Sequence, residues 1–236
     1  MKTKTKPLIV VAGLLLIIGL AAVATIGYSK LHPDPKRWES DIIAIEQRTS
    51  PDADYQASAL FVGSSSIRFW DSLQEDMQPI PTVNHGFGGA QTSDILFYAD
   101  RLITRFDPKV IVLYTGENDL GSRWSWSGLA VGRVTNLIQY IHKSLPDTEI
   151  ILLSIKPSPY FNHRRQIQEQ ANLGLRSYAE ETEKVTFLDV TAPLLDSDDK
   201  LRPELYSDGL HLNSDGYAVW KSIIRPKLLE YFQNNS

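Results

Sequence analysis

Residues 109–119 read KVIVLYTGEND, in which five consecutive apolar side chains lead to a glycine and three polar residues. A second apolar run, TEIILLSI, occupies residues 148–155. Strands that are apolar at nearly every position are typical of a parallel sheet that is covered on both faces by helices. The two runs therefore predict buried strands of such a sheet.

Further strand and helix candidates alternate along the rest of the chain. The other predicted strands are residues 59–63, 81–87 and 185–190. Apolar residues at helical spacing predict helices at 38–48, 92–106, 129–145, 166–181 and 216–232, the last with a kink near Pro226. Five strands that alternate with helices predict an α/β fold, a three-layer α/β/α sandwich around a five-stranded parallel sheet.

The N-terminus carries a charge-free run of 19 residues, Leu8 to Ile26, behind three lysines. A helix of this length, at about 1.5 Å per residue, nearly spans a bilayer core. The lysines favour a cytoplasmic N-terminus, so we expect residues 1–30 to be a single-pass membrane anchor and the remainder to be exported. The triplet Ala22-Val23-Ala24 leaves open a cleaved signal peptide and a secreted form. Residues 31–37 then predict a proline-bearing linker, and residues 38–236 a single globular domain.

Charge and composition exclude several classes of protein. The 236-residue chain has a formal net charge of −4, from 24 basic and 28 acidic residues. The first 30 residues hold four lysines and no acid, so residues 31–236 carry −8. An acidic domain repels phosphate backbones, which argues against nucleic acid as a partner. The chain has no cysteine, which excludes a disulfide framework, a thiolate nucleophile and cysteine-based metal sites.

Chemically active side chains follow the predicted strands. In a parallel α/β sheet, ligands bind at the carboxyl ends of the strands. That edge would gather the serines at 64–66, the glycine-rich turn at 84–89 and the polar run at 116–119. The loop after the last strand would bring Asp208 and His211 to the same edge.

These side chains suit nucleophilic acyl transfer. A serine hydroxyl attacks a carbonyl when a base takes its proton, and the usual base is a histidine that a carboxylate orients. Asp208 and His211 are three residues apart, a spacing at which two side chains can meet on one turn. A tetrahedral oxyanion also needs preorganised donors, and the backbone N–H of Gly89 and the side-chain amide of Asn118 are suitable groups.

The remaining polar residues in this region predict supporting roles. His85 is expected to be a loop histidine, and Asp119 is expected to hold its loop by hydrogen bonding. No second histidine or carboxylate cluster has ligand spacing around His211, so neither a metal nor another cofactor is expected.

Four short blocks resemble those of the SGNH (GDSL-type) hydrolases. Residues 63–65 match the family's Gly-x-Ser, and residues 84–89 match its Asn-x-x-x-x-Gly. Residues 116–119 match Gly-x-Asn-Asp, and residues 208–211 match Asp-x-x-His. The blocks occur in the family's order, and the resemblance covers about residues 38–232.

The resemblance implies a flavodoxin-like sandwich with the strand order 2-1-3-4-5. It also implies roles for individual residues. Ser65 would be the nucleophile and His211 its general base, with Asp208 orienting the imidazole. The backbone N–H groups of Ser65 and Gly89 and the side-chain amide of Asn118 would form the oxyanion hole.

One position departs from the family pattern. Ser64 stands where GDSL-type motifs often carry aspartate, which leaves three consecutive serines. Ser64 or Ser66 could therefore be mistaken for Ser65, and only the register after the first strand decides among them.

The resemblance further implies a serine esterase without a cofactor. Its substrates would be acetyl or other acyl esters of carbohydrates or of lipids such as platelet-activating-factor-like ones, with lysophospholipase or thioesterase activity also compatible. Two alternatives stay open: an acyltransferase that uses the same acyl-enzyme, and a non-catalytic membrane-anchored binding module. Trp124 and Trp126, after the third block, fit either a loop that contacts substrate or rings that cap the core.

Overall fold

The computed structural model of the chain describes residues 5–31, 33–49 and 55–233. The chain divides into two compact units, Met1–Asp34 and Pro35–Ser236. Residues 50–54, and the lysines at positions 2 and 4, lie outside the described residues.

The first unit contains one helix, α1, over residues Thr5–Leu31. It includes the whole of the charge-free run from Leu8 to Ile26. In the parts of the chain that the structure describes, no helix combines the length and the apolar character that crossing a membrane requires.

The second unit is built on one five-stranded sheet. Its strands are β1 (Ala59–Gly63), β2 (Thr82–Gly86), β3 (Val110–Tyr114), β4 (Glu149–Leu153) and β5 (Val185–Leu188). They lie in the order β2-β1-β3-β4-β5, and each neighbouring pair is parallel. The predicted fold class and the strand order that the resemblance implies are both confirmed.

Helices precede, separate and follow the strands in sequence. They are α2 (Glu39–Arg48), α3 (Ser65–Arg68), α4 (Leu73–Asp76), α5 (Thr92–Phe97), α6 (Ala99–Leu102), α7 (Ser127–Ser144), α8 (Arg165–Glu180) and α9 (Ser214–Gln233). Short 3₁₀ turns are formed by Pro35–Trp38, Thr104–Phe106, Asn118–Leu120, Asn162–Arg164, Ala192–Leu194 and Pro203–Leu205. The last helix continues through Pro226.

Alternation of side chains along the strands produces the three layers. Successive residues of a strand point to opposite faces of the sheet. Leu60 and Val62 pack on one face under α2, α5, α6, α7 and α8, whereas Phe61 packs on the other under α3, α4 and α9. Trp70 and Trp220 belong to this second cluster and are almost fully buried. Burying a large apolar side chain contributes about 1.5–3 kcal/mol, so both faces of the sheet stabilise the fold.

The predicted helix at 92–106 is wrong in one respect, because it is interrupted. Tyr98, between α5 and α6, has φ −101° and ψ 13°, outside the helical range. Its hydroxyl lies 3.2 Å from the carbonyl oxygen of Pro35 and 3.1 Å from the Glu39 carboxylate. These contacts with residues about 60 positions earlier fix the ring. Helical spacing in the local sequence carries no signal for such a tertiary contact.

The central strands end at one level, which creates the edge that the sequence predicted. Gly63, the last residue of β1, is in register with Gly86 of β2 and with Tyr114 of β3. A Cβ atom at Gly63 would lie 2.3 Å from the carbonyl oxygen of Tyr114, so only glycine fits this close approach. The loops after β1, β2 and β3 therefore start side by side.

Candidate active site

Ser65, His211 and Asp208 form a continuous hydrogen-bonded chain. Ser65 Oγ lies 3.0 Å from His211 Nε2, and His211 Nδ1 lies 2.7 Å from Asp208 Oδ2. A carboxylate can only accept, so the Nδ1–H of the neutral imidazole donates to it and Nε2 is left to accept a proton. The structure thus brings together the predicted nucleophile, base and orienting carboxylate.

The position of Ser65 follows from the turn between β1 and α3. Ser64 connects the strand to the helix, and its N–H donates to the carbonyl of Tyr114 at 3.3 Å. Ser65 then begins α3, where it is 7% exposed. The side chains of Ser64 and Ser66 are buried, and within the described residues neither hydroxyl is bonded to a histidine. The register after the first strand therefore directs Ser65, and not its neighbours, to His211.

Asp208 is held as a carboxylate by its own turn. Its Oδ1 accepts the backbone N–H of His211 at 2.8 Å and that of Leu210 at 2.9 Å, while Oδ2 accepts from the imidazole. The bond from the His211 backbone N–H is the main reason that the pKa of Asp208 lies well below its usual range. Asp208 is therefore ionised at any pH at which a histidine can act as a base.

The two predicted oxyanion donors lie on the loops that follow β2 and β3. Gly89 has φ 71°, a left-handed conformation that favours glycine, and a Cβ there would lie 3.3 Å from the Trp38 ring. Asn118 begins the 3₁₀ turn after β3, and its Nδ2 donates to the carbonyl of Ala90 at 2.9 Å. A primary amide has two N–H groups, so the side chain can steady the glycine-rich turn and still donate to an oxyanion.

Asp119, which the sequence predicted to hold its own loop by hydrogen bonding, joins that loop to the start of α5. It is almost fully buried, and its Oδ2 accepts both the N–H and the hydroxyl of Thr92 at 2.9 Å. Its Oδ1 accepts from Arg133 at 2.8 Å. The start of α5 is thereby fixed against the turn that carries Asn118.

His85 is not the loop residue that the sequence predicted. It lies in β2, fully buried, with Nδ1 2.7 Å from the carbonyl of Leu102 and Nε2 3.0 Å from Thr49 Oγ1. Burial lowers the pKa of His85 to about 4, so the ring is neutral near pH 7. No group of three or more histidine or carboxylate side chains in the described part of the chain could hold a metal ion.

Trp124 and Trp126 do not cap the core, so that interpretation is wrong. They are 36% and 55% exposed and belong to neither core cluster. Arg164 donates to three backbone carbonyls of their loop at 2.8 to 3.0 Å. The rings are therefore carried on a fixed backbone and face solvent.

Sequence reasoning missed a buried ion pair next to the site. Lys156 is fully buried, with Nζ 2.9 Å from Glu117 Oε1 and 2.7 Å from the carbonyl oxygen of Leu210. The available signal was a lysine that follows the apolar run of β4 directly, at the same sheet edge as the acid after β3.

The chain is similar to known hydrolases. The sequence pattern of the GDSL-like Lipase/Acylhydrolase family matches residues 55–219. The chain is 26% identical over 174 residues to the platelet-activating factor acetylhydrolase IB subunit alpha2 of Gallus gallus, an alignment that covers 70% of this chain and 73% of that protein.

Two solved structures share the fold. One, from Streptococcus pneumoniae, is provisionally named a platelet activating factor; its TM-score is 0.71 at 23% identity, over 88% of this chain and 99% of that one. The other is a carbohydrate esterase family 3 structure from Talaromyces cellulolyticus; its TM-score is 0.62 at 16% identity, over 76% of this chain and all (100%) of that one.

The family match begins before β1 and ends within α9, so it includes every strand and all four sequence blocks. The resemblance to the SGNH hydrolases is thereby confirmed. The chain belongs to the GDSL-like lipase/acylhydrolase family and is an ester hydrolase.

Proposed function

We propose that the protein hydrolyses carboxylic esters through an acyl-enzyme on Ser65, with His211 as general base and Asp208 as its orienting carboxylate. The observation that carries the proposal is the unbroken hydrogen-bond chain from the serine hydroxyl to the carboxylate, with steps of 3.0 and 2.7 Å. Such a chain makes a weak nucleophile reactive, because the base is already at the proton it has to take.

In the first half-reaction, His211 Nε2 takes the hydroxyl proton while Ser65 Oγ forms a bond to the ester carbonyl carbon. The tetrahedral intermediate collapses, the bond to the leaving alcohol breaks, and the imidazolium gives its proton to that oxygen. In the second half-reaction, His211 takes a proton from water, which attacks the acyl-serine. The acid then leaves and Ser65 regains its proton. Asp208 stays ionised throughout and stabilises the imidazolium.

We propose that Ser65 N–H, Gly89 N–H and the free N–H of Asn118 bind the oxyanion. Two features support this assignment: Ser65 opens a helix, where backbone N–H groups lack intrahelical partners, and the Gly89 turn is tied to Asn118 through Ala90. Preorganised donors of this kind stabilise the charge that develops on the carbonyl oxygen without reorganisation during the reaction.

We propose acetyl or similarly small acyl esters as the substrates. The Gallus gallus relative is named an acetylhydrolase, and the Talaromyces cellulolyticus structure is a carbohydrate esterase. In this chain the ring of Phe69 stands edge to face with His211 at 4.9 Å, which limits the room beside the base. The exposed rings of Trp124 and Trp126 could serve a sugar or a lipid as the alcohol part, since aromatic faces stack on both.

A panel of p-nitrophenyl esters from acetate to palmitate tests the proposal. We expect kcat/KM to be highest for acetate and to fall by about tenfold or more by octanoate, because a small acyl pocket excludes added methylenes. A preference for long chains would overturn the proposed acyl class.

Addition of a sugar acceptor tests the transferase alternative, which predicts acylated sugar in place of free acetate. Complete inertness of the folded protein would favour the binding module.

We also propose that residues 1–30 carry the domain to the membrane for export, with residues 31–37 as linker and residues 38–236 as the catalytic domain. The charge-free run at 8–26 and its preceding lysines support this, as do the exposed apolar side chains at positions 14–18 of α1. Alkaline extraction of cell membranes tests it. Uncleaved protein should stay in the pellet, a cleaved form should appear in the soluble exported fraction, and recovery from the cytosol would contradict both.

A further inference from the structure

Lys156 is a charged side chain with no contact to solvent, and each of its partners is identifiable. The ammonium group donates to Glu117 Oε1 at 2.9 Å and to the carbonyl oxygen of Leu210 at 2.7 Å. It also lies 5.7 Å from the centre of the Tyr206 ring, on its face. Glu117 is equally buried, and its other oxygen accepts from the Tyr114 hydroxyl at 3.0 Å. The pair is therefore neutral as a unit and well hydrogen-bonded.

The partners of this pair adjoin two different parts of the catalytic machinery. Glu117 directly precedes Asn118, and Leu210 directly precedes His211. The lysine thus connects the turn that carries the proposed oxyanion amide to the loop that carries the base. Its own backbone is fixed, because Asn172 makes two hydrogen bonds to the residue before it, at 2.8 and 2.9 Å.

The contact with Leu210 acts on a single peptide group. The Leu210 carbonyl and the His211 N–H belong to the same planar unit. Lys156 Nζ donates to the oxygen of that unit at 2.7 Å, and the nitrogen of the unit donates to Asp208 Oδ1 at 2.8 Å. Both ends of the peptide dipole are held, which fixes the rotation of the backbone from which the imidazole projects.

The loop is partly exposed and is paired only locally. Asp208 is 55% exposed in its side chain, and between the 3₁₀ turn Pro203–Leu205 and α9 the chain forms an isolated antiparallel bridge, Tyr206 with Leu212, rather than a strand or a helix. Loops of this kind are more mobile than the elements they connect. Catalytic geometry must nevertheless hold to within about 0.5 Å. Two further bonds help: Tyr206 Oη donates to the Pro157 carbonyl, and Tyr160 N–H donates to the Gly209 carbonyl.

We propose that the Lys156–Glu117 pair is a positioning device for His211, acting through the Leu210–His211 peptide; the inference rests on the function proposed above. Both side chains are buried, so the pair acts through the loop and not by contact with the substrate. A buried ion pair contributes little net stability compared with apolar residues of the same volume. The hydrogen bond from Lys156 to the Leu210 carbonyl instead gives the pair a role in holding the catalytic loop.

The double variant Lys156→Met with Glu117→Gln tests the inference. It removes both charges together, so no unpaired ion is left in the interior, and the glutamine can still accept from Tyr114. We expect kcat for p-nitrophenyl acetate to fall by about 10- to 100-fold while KM changes by less than about threefold, because catalytic geometry is lost and binding is kept. The low-field proton resonance of the His211 Nδ1–H should broaden or disappear.

Leu228→Ala is the matched control, because Leu228 is fully buried in α9, 14 residues beyond the start of that helix. It should lower the melting temperature and leave kcat of the folded enzyme and the low-field resonance unchanged. If the double variant keeps the wild-type kcat and resonance, or loses activity only in proportion to its unfolded fraction, the inference is wrong.

Two measurements separate this inference from the proposed function. An inert but folded wild type would overturn the esterase proposal, and the difference in the resonance between the wild type and the double variant would still report whether the pair orders His211. If the double variant fails to fold, amide hydrogen exchange of the wild-type protein provides a second test of the restraint. Exchange of the wild-type His211 amide at the rate of an unstructured peptide would overturn the restraint, because the peptide group that Lys156 holds would then be mobile.

Discussion

Ser65→Ala is expected to lower kcat for p-nitrophenyl acetate by about 10⁴- to 10⁶-fold, the scale seen when a serine triad loses its nucleophile. Alanine removes the one oxygen that the structure sets 3.0 Å from His211 Nε2. The change deletes a single atom at a nearly buried position, so the fold and the thermal stability should be retained. KM should change little, because substrate binding does not need the hydroxyl. Steady-state kinetics on protein of verified melting temperature measure the loss.

The neighbouring serines supply matched controls for this prediction. Ser64→Ala and Ser66→Ala remove the same atom one residue away, and neither hydroxyl is bonded to His211. Both variants should keep kcat within a fewfold of the wild type. A fluorophosphonate probe should label the wild type and both controls on Ser65, as peptide mass spectrometry can verify, and should leave Ser65→Ala unlabelled. Equal labelling of Ser65→Ala, or a large loss from either neighbour, would assign the nucleophile to another serine.

Much of this site was predictable because most of its residues directly follow strands that can be recognised in the sequence. Continuous apolar runs identified the strands, and the rule that ligands meet the carboxyl ends of parallel strands located the edge. Asp208 and His211 are three residues apart, so their hydrogen bond depends little on the rest of the fold. The contact between Ser65 and His211 spans 146 positions. No spacing encodes such a distance, and it was reached through the family resemblance.

The features that were missed depend on tertiary contacts alone. The interruption at Tyr98 reflects hydrogen-bond partners about 60 residues earlier in the chain. The ion pair of Lys156 with Glu117 joins the ends of two adjacent strands across 39 positions. Lysine and glutamate side chains are usually exposed in proteins, so the residue types gave no indication that this pair is buried. The exposure of Trp126 likewise depends on the backbone that Arg164 holds in place.

Removal of the base is the second large expected effect. His211→Ala should lower kcat by about 10⁴- to 10⁶-fold, since Ser65 then has no group to take its proton and the leaving alcohol has no acid. Labelling of Ser65 by a fluorophosphonate should fall in parallel, although the serine is still present. His142→Ala is a suitable control: that histidine lies on α7 with its ring 3.3 Å from the Thr148 carbonyl and should be dispensable for turnover.

Combination of the two variants tests whether the residues act as one unit. If His211 works by activating Ser65, the double variant Ser65→Ala with His211→Ala should be no slower than either single variant, because each alone already removes the covalent route. Multiplied losses would mean that the histidine has a separate role and would contradict the proposed triad.

Asn118→Ala provides the scale for comparison, with an expected loss of about 10²- to 10³-fold in kcat, one oxyanion donor's contribution. Its loss should be far smaller in the Ser65→Ala background, where no serine oxyanion intermediate forms.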